Sequence, residues 1–232
     1  REMILEIFEE TGGNRLTMNY ITPGGVMQDL HPDFVPKVKE VMASLKKHEH
    51  EYGELLTGNI IFRKRLEGVG VLTPELAISL GCTGPVARGS GISCDVRKHA
   101  PYDAYSQVEF KEILFPGGDC MNRYMVRMEE MKESISIIEQ LIDRIPEGSF
   151  RNKPKGMLKL PEGEYYQRVE TARGELGVYI VADGTAKPWR VKFRTPNFSN
   201  LTALKPLSIG SKVGDLVAIM STLDLIIPDI DR

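Results

Sequence analysis

Cysteine is scarce in this sequence of 232 residues, and its three cysteines form no CxxC pair. Cys82, Cys94 and Cys120 are odd in number and widely spaced, which does not match the ligand sets of zinc sites or iron–sulfur clusters. We interpret them as reduced thiols of a cytosolic-type compartment, each a small buried side chain. The sequence therefore predicts no metal centre built from this chain alone.

An excess of charge of either sign is also missing. The chain has 30 Lys and Arg against 32 Asp and Glu, with no block of like charges. This balance argues against binding of nucleic acid or of an acidic lipid surface. No apolar run approaches the roughly 18 residues of a membrane span, so we expect a soluble or peripheral protein. With 41% hydrophobic residues, the chain can form one or two globular domains.

The motifs of common hydrolases and nucleotide-binding proteins are absent too. The sequence contains no GxSxG elbow and no Walker A loop, and the glycine-rich stretch 81–91 lacks the GxGxxG spacing. His48 and His50 lie two residues apart, so on a helix they face different directions and do not form the pair of a zinc protease. No motif supports nucleotide binding or metal-dependent hydrolysis.

Helical periodicity is the strongest pattern that the sequence does contain. An apolar seam with alternating spacings of four and three residues predicts a long helix from about Asp119 to Ile145, which Pro146 ends. Similar patterns predict helices over residues 1–10, 33–58, 59–67, 74–80 and 213–223. The seam of the long helix consists of Tyr124, Met128, Met131, Ile135, Ile138, Ile142 and Ile145.

Three parts are predicted along the chain. Residues 1–148 form a helical core with an irregular loop rich in Gly and Pro, residues 81–118, which its aromatic and charged residues indicate to be ordered. Residues 149–163 have the polarity of a linker. Residues 164–232 hold short alternating runs with a hairpin turn at 182–184, then the last helix and the tail. The predicted fold class is mainly α, a long-helix bundle with a small antiparallel β element near the C-terminus.

Carboxylates interrupt the apolar tail, residues 221–232, which reads STLDLIIPDIDR. If this segment is buried, Asp224, Asp229 and Asp231 must find partners or shift their pKa values. The tail is therefore a candidate for the wall of a site. A last helix with a solvated polar end is an equally open alternative, because chain ends are often mobile.

Arginines that lie beside glycines or acids form a second group of candidates. An arginine between small residues can lie close to the backbone and present its planar fork to a carboxylate, a carbonyl or a cofactor. Ordinary ion pairs that fix loops explain any one of these arginines equally well. The group consists of Arg88, Arg97, Arg123, Arg127, Arg173 and Arg232.

Seven segments, taken in order, resemble the large core subunit of respiratory complex I, the 49 kDa or D subunit of proton-pumping NADH:quinone oxidoreductase. The segments cover nearly the whole chain, and their order and gap lengths make chance similarity a poor explanation. They read REMILEIFEETGGNRLTMNY, PGGVMQDL, GNIIFRKRLEGVGVLTPELAISLGCTGPVARGSGISCDVRKHAPYDAY, GGDCMNRYMVRMEEMKESISIIEQ, VETARGELGVYIVADG, PWRVKFRTPNFSNL and STLDLIIPDIDR.

The same fold is shared with the large subunits of nickel-iron hydrogenases, which are the main alternative. Those proteins hold their metal with two CxxC pairs, because nickel and iron bind soft thiolates. The corresponding end here, residues 228–232, carries carboxylates where thiolates are required. The resemblance thus implies a hydrogenase-like fold without the hydrogenase metal site.

A helical scaffold that has kept the fold and lost the chemistry is the non-enzymatic alternative. A scaffold does not require that a set of four polar residues lie together around one cavity. Separations above about a Debye length, roughly 10 Å, would favour the scaffold. The set consists of Arg173, Asp224, Asp231 and Arg232.

The resemblance implies that the former metal pocket is a quinone cavity, formed between this subunit and a smaller partner that holds the terminal iron–sulfur cluster. Quinone would be the substrate, electrons would arrive from the partner's cluster, and this chain alone would bind no cofactor. The implied cavity residues are Asp224, Arg173, Asp231 and Arg232, with Arg88 and Arg97 supporting them from the irregular loop.

One departure limits what the chain is expected to do alone. The resemblance puts the His and Tyr that hydrogen-bond the quinone upstream of REMILEIFEE, so we expect an internal fragment without catalytic residues that is inactive in isolation. Flavin and NADH would bind other subunits. The implied partners are the iron–sulfur small subunit, other peripheral-arm subunits and the membrane-arm subunits. The implied location is the cytoplasmic side of the inner or plasma membrane.

Overall fold

Helices are the main secondary-structure elements of this protein. The structure is a computed structural model, and it describes residues 1–152, 156 and 158–231. The helices are α1 (Glu2–Gly12), α2 (Phe34–Tyr52), α3 (Ile60–Leu66), α4 (Pro74–Ser79), α5 (Pro85–Arg88), α6 (Val96–His99), α7 (Cys120–Leu141), α8 (Pro196–Thr202), α9 (Leu204–Ser208), α10 (Val213–Leu223) and α11 (Ile227–Ile230). The strands are β1 (Ile21–Thr22), β2 (Gly25–Val26), β3 (Gly163–Thr171), β4 (Gly174–Ala182) and β5 (Arg190–Arg194). The predicted fold class, mainly α with a small antiparallel sheet, is confirmed.

Helix α7 is the longest helix of the described residues and contacts α2, α3, α5 and α10. It begins after the N-cap Asp119, whose carboxylate accepts a hydrogen bond from Asn122 N (2.8 Å). It ends in a 3₁₀ turn, Ile142–Arg144, shortly before Pro146. The start agrees with the helix that the apolar seam predicts, whereas the α-helix ends at Leu141, about one turn before the predicted end at Ile145.

Two apolar clusters share the length of α7. The part of the predicted seam from Met131 to Ile142 packs against α1 and α2. The N-terminal part of α7 packs instead with residues of α3, α4, α5, α9 and α10, and Tyr124 contacts this second cluster. Ile145, the last residue of the predicted seam, is 41% exposed. The apolar seam of α7 therefore contributes to two apolar clusters. Its packed part ends about one turn earlier than predicted.

Helix α2 confirms most of the helix predicted over residues 33–58. Beyond Tyr52 the hydrogen-bond spacing widens into a π-helical turn, Gly53–Thr57, in which Gly58 N donates to Gly53 O (2.8 Å). Near the other end of the chain, α10 matches its predicted range residue for residue.

The glycine- and proline-rich segment 81–118 is packed against the core. It contains α5, α6 and a 3₁₀ turn, Tyr105–Gln107. The side chains of Val86, Ala87 and Val96 are buried in it. This packing positions the charged residues of the segment, among them Arg88 and Arg97.

Strands β3, β4 and β5 form one antiparallel sheet in that order. Thr171 pairs with Gly174, so only Ala172 and Arg173 form the turn between β3 and β4. The sequence predicts a hairpin turn at 182–184, but Ala182 ends β4, and Asp183 and Gly184 begin a longer connection to β5. The tight turn therefore lies at the opposite end of β4, where it presents Arg173. None of the helices in the described ranges has both the length and the hydropathy that crossing a membrane requires.

Candidate functional site

Asp224 follows the last residue of α10 and directs its carboxylate towards the β3–β4 turn. Its backbone adopts the left-handed conformation (φ 54°, ψ 51°), and its N–H donates to Met220 O (3.2 Å). The Asp224 carboxylate accepts a hydrogen bond from Arg173 Nη2 (3.3 Å), and its Oδ2 lies 3.1 Å from Arg173 Nε. The same Oδ2 lies 3.9 Å from Arg127 Nε. One carboxylate thus lies between two guanidinium groups.

The backbone around Arg173 holds that side chain in position. Thr171 Oγ1 accepts from Arg173 N (3.3 Å), and Arg173 O accepts from Asn200 Nδ2 (3.3 Å). Gly84 lies so close that a Cβ there would be 2.5 Å from Arg173 O. The turn that carries Arg173 is therefore packed directly against the start of α5.

Arg127 offers hydrogen-bond donors that no described residue uses. Its Nη1 donates to Arg123 O (2.8 Å), one turn earlier on α7. Its Nε and Nη2 are buried and have no hydrogen-bond partner among the described residues. Burial lowers the pKa of Arg127 to about 10, although the nearby Asp224 carboxylate favours the charged form. Two buried donors of this kind call for an acceptor other than the described residues, such as water or a ligand oxygen.

Arg88 is completely buried and is paired with two glutamates. Its Nε donates to Glu130 Oε1 (2.5 Å), and its Nη1 donates to Glu170 Oε1 (2.8 Å). Burial opposes the charge on Arg88, but the two carboxylates outweigh it and raise the pKa of Arg88. Burial raises the pKa of Glu170, and the attraction of Arg88 only partly offsets this effect. The pairing ties α5, α7 and β3 together.

Arg97, which lies in the same glycine- and proline-rich segment as Arg88, is fixed by Asp95. Arg97 Nε donates to Asp95 Oδ1 (3.0 Å) and Nη2 donates to Oδ2 (2.7 Å), a bidentate pair. The guanidinium also lies 5.1 Å from the centre of the Phe110 ring. Burial opposes the charge on Asp95, but the hydrogen bonds from Arg97 outweigh it, so the pKa of Asp95 is lowered.

A cavity of about 440 Å³ connects these groups. Arg88, Arg97 and Asp224, three of the residues that the sequence singles out, line it, and Arg173 reaches it through Asp224. Sequence reasoning placed Arg127 only in a general group of arginines and missed Glu130 and Glu170. The complete lining is Arg88, Arg97, Tyr105, Arg127, Glu130, Met131, Ser134, Glu170, Thr171, Ala172 and Asp224.

The rest of the tail lies outside this lining. Asp229 Oδ2 accepts a hydrogen bond from Asn197 N (3.1 Å), so it fixes the start of α8. Asp231 is exposed, and its backbone N–H donates to Ile227 O (3.0 Å). Arg232 lies outside the described residues. A role of Asp231 and Arg232 in the cavity therefore stays a prediction.

The second cavity and the cysteines have fewer groups that could act on a ligand. A larger cavity of about 650 Å³ between α1, α2 and α7 has no charged residue in its lining. Within the described ranges, no group of three or more His, Cys, Asp or Glu side chains could hold a metal ion. Cys82 is buried and Cys94 half-buried, and burial raises the pKa of each thiol to about 11.

Comparison with known proteins supports the resemblance. The family model for the 49 Kd subunit of respiratory-chain NADH dehydrogenase matches residues 1–159 and 150–232. The chain is 53% identical over 232 residues to the C/D subunit of NADH-quinone oxidoreductase from Bacteroides fragilis, covering all of this chain and 44% of that protein. It is 44% identical over 234 residues to the D subunit of NADH-quinone oxidoreductase from Desulfotalea psychrophila, covering all of this chain and 63% of that protein.

The chain therefore spans about half of the length of these relatives. The family match, by contrast, extends over the complete sequence. The chain belongs to the family of the 49 kDa subunit of respiratory-chain NADH dehydrogenase.

Proposed function

We propose that this chain forms part of the wall of a quinone-reducing cavity in a multi-subunit NADH:quinone oxidoreductase. The observation that carries the proposal is the position of Asp224 between Arg173 and Arg127 at the edge of the polar cavity. The names of the relatives, the C/D and D subunits of NADH-quinone oxidoreductase, support quinone as the substrate class.

The groups in the cavity suit a reaction that changes charge. Reduction of a quinone to a quinol takes up two electrons and two protons, so negative charge develops on the quinone oxygens before protons arrive. Arg127 has two buried N–H groups available for an oxygen atom in the cavity. Asp224 contributes a negative charge that partly compensates the neighbouring guanidinium groups. Arginines aimed at developing negative charge stabilise it without further reorganisation.

The surrounding ion pairs make this arrangement rigid. Arg88 with Glu130 and Glu170 holds the loop 81–118 against α7 and β3, and the pair of Arg97 with Asp95 fixes the conformation within the loop. We assign to Arg88 and Arg97 the positioning of this loop, to Arg127 and Asp224 the contact with the cavity contents, and to Arg173 the positioning of Asp224. Asp231 and Arg232 remain further candidates for the same wall.

The electrons would come from an iron–sulfur cluster of a smaller partner subunit, which completes the cavity together with other peripheral-arm and membrane-arm subunits. The complex would lie on the cytoplasmic side of the membrane as a peripheral assembly. Charge changes in the cavity would be transmitted through the ion pairs of this chain towards the membrane arm. Isolated, the chain would not reduce quinone.

The substitution Asp224→Asn in the assembled complex tests the proposal. Asn tolerates the left-handed backbone at this position, so the substitution removes charge with little strain. We expect quinone reduction by host membranes to fall about tenfold or more, equivalent to at least about 1.4 kcal/mol of transition-state stabilisation. Electron transfer to a soluble acceptor that bypasses the quinone cavity should not change.

Asp143→Asn is the matched control. Asp143 is an exposed carboxylate that pairs with Lys39 (2.6 Å) far from the cavity lining. Unchanged quinone reduction and proton pumping in Asp224→Asn, when the variant assembles in normal amounts, would contradict the proposal and favour a scaffold role.

A further inference from the structure

The outer edge of β5 is exposed and unpaired. Strand β5 pairs with β4 from Val181↔Arg190 to Gly177↔Arg194, and no described residue pairs with its other edge. The opposite edge of the sheet is better covered, because Tyr102 Oη accepts from Glu170 N (3.1 Å) and donates to Glu170 O (3.4 Å). A free row of backbone donors and acceptors is a template for another strand.

The side chains of β5 are segregated by face. Trp189, just before the strand, is 80% exposed, and Val191 and Phe193 on the same face are 42% and 47% exposed. Val191 and Phe193 lie opposite Ile180 and Val178 of β4, so the apolar face continues across the sheet. Exposed apolar groups in one contiguous patch mark an interaction surface.

The other face of the strand carries positive charge that no described carboxylate neutralises. Arg190 and Lys192 are exposed, and neither forms an ion pair with a described residue. Lys187, in the preceding connection, is also exposed and has no ion pair within the described ranges. Arg194 differs, because its guanidinium donates to Thr83 Oγ1 (3.0 Å) and Gly81 O (2.8 Å) and anchors the strand to the core.

Protection against aggregation does not explain this pattern. Edge strands are commonly protected by a charge that interrupts the apolar face. Here the charges of β5 all lie on the opposite face, so no charge of the strand separates Val191 from Phe193 beside the free edge, and the exposed Trp189 directly precedes the strand. This combination favours strand addition rather than discouraging it.

We propose that β5 binds an extended segment of another subunit of the assembly, which adds a fourth strand with acidic side chains on one face and apolar side chains on the other. The acidic side chains would pair with Arg190 and Lys192, and the apolar ones would cover Val191 and Phe193. A strand of five residues alone buries less than the roughly 1,000 Å² of a specific interface. The segment must therefore belong to a partner that also contacts this chain elsewhere. This inference does not depend on the proposed quinone cavity.

Site-specific photo-crosslinking in the intact complex tests the inference. A photoreactive residue replaces Val191, and mass spectrometry identifies the linked peptide. We expect a link to an extended acidic segment of a different subunit. The same residue at Ile209, which is 75% exposed and not in a strand, should not link to that segment. No link from position 191, a link only to a second copy of this chain, or a link to a segment without acids would overturn the proposal.

Charge substitutions test how much Arg190 and Lys192 contribute to binding of the partner segment. R190E/K192E should lower the yield of the cross-link about tenfold, whereas K64E/R144E, which changes the same charge at two other exposed positions, should not. The neutral variant R190Q/K192Q should make the yield insensitive to salt, while the yield of the unsubstituted complex should fall as salt rises. The proposal of an acidic partner segment would be overturned if R190E/K192E and K64E/R144E gave equal cross-link yields. It would also be overturned if the cross-link yield of the unsubstituted complex did not change with salt.

Discussion

Asp224 and Arg173 are 51 residues apart in the sequence, yet the Asp224 Oδ2 and Arg173 Nε atoms lie 3.1 Å apart. The contact joins the end of α10 to the two-residue turn between β3 and β4. Both side chains are about one-third exposed, and Asp224 lines a polar cavity. Surface ion pairs of this kind add little stability, so the proposed role of the pair in the cavity can be tested without a large loss of folding stability.

Gly84→Ala should destabilise the chain by displacing the turn that carries Arg173. Gly84 has a φ of +68°, and a Cβ there would lie 2.5 Å from both Arg173 O and Gly174 Cα. We expect a loss of about 2–5 kcal/mol in the free energy of unfolding, measured by urea denaturation. Gly184→Ala is the control, because Gly184 has a φ of +80° with open space around it. Equal losses in both variants would mean that backbone conformation alone, rather than the close contact, sets the cost.

Arg88→Met should destabilise the chain by about 3–5 kcal/mol at pH 7, because it leaves the carboxylates of Glu130 and Glu170 near a buried site without their cation. Burial already raises the pKa of Glu170. Without Arg88 that glutamate should take up a proton more readily, so the variant should recover stability as the pH falls towards 5. Urea denaturation at both pH values checks this.

Arg15→Met is the control for that prediction. Arg15 also pairs with two carboxylates, Glu2 and Glu9, but on the exposed surface. Its loss should have little effect on unfolding at either pH. A similar effect of both substitutions would show that burial is not what makes the Arg88 pairs important.

The pair of Asp95 with Arg97 should make stability depend on pH in the acid range. The pKa of Asp95 is lowered in the folded chain, so the folded state binds this proton less readily than the unfolded state. The stabilisation is complete above the unfolded pKa of about 3.9 and is lost as the pH falls through the lower folded value. Asp95→Asn should therefore be less stable than the parent at pH 6 and should show a flatter decline as the pH falls below about 4. Parallel curves would rule out this contribution.

Local sequence signals were sufficient for the longer helices, but they did not predict the short helices α5, α6, α8, α9 and α11. Helix α7 has a regular apolar seam, an Asp at the N-cap and a proline beyond the 3₁₀ turn that follows it. The tight β3–β4 turn was missed, because Ala172 and Arg173 lack the Asn-Gly or Asp-Gly signal of such turns. The nearest glycine, Gly174, follows the turn and is the first residue of β4.

The cavity depends on contacts that no local pattern encodes. Arg88 pairs with glutamates 42 and 82 residues away, and nothing in the spacing of Glu130 or Glu170 indicates this. The family resemblance supplied Asp224 and Arg173, and the structure brings that pair together. Asp231 is exposed at the end of the described chain, and Arg232 lies outside the described residues, so the place of these two residues in the cavity stays a prediction.

A double-mutant cycle of quinone reduction in the intact complex, with Arg173→Gln, Asp224→Asn and both together, tests whether the Asp224–Arg173 pair acts in the quinone cavity. If the two residues act as one unit in the quinone cavity, each single substitution should lower the rate about tenfold and the double variant should lose little more. Normal rates in all three variants, or losses that multiply to about a hundredfold, would contradict the account.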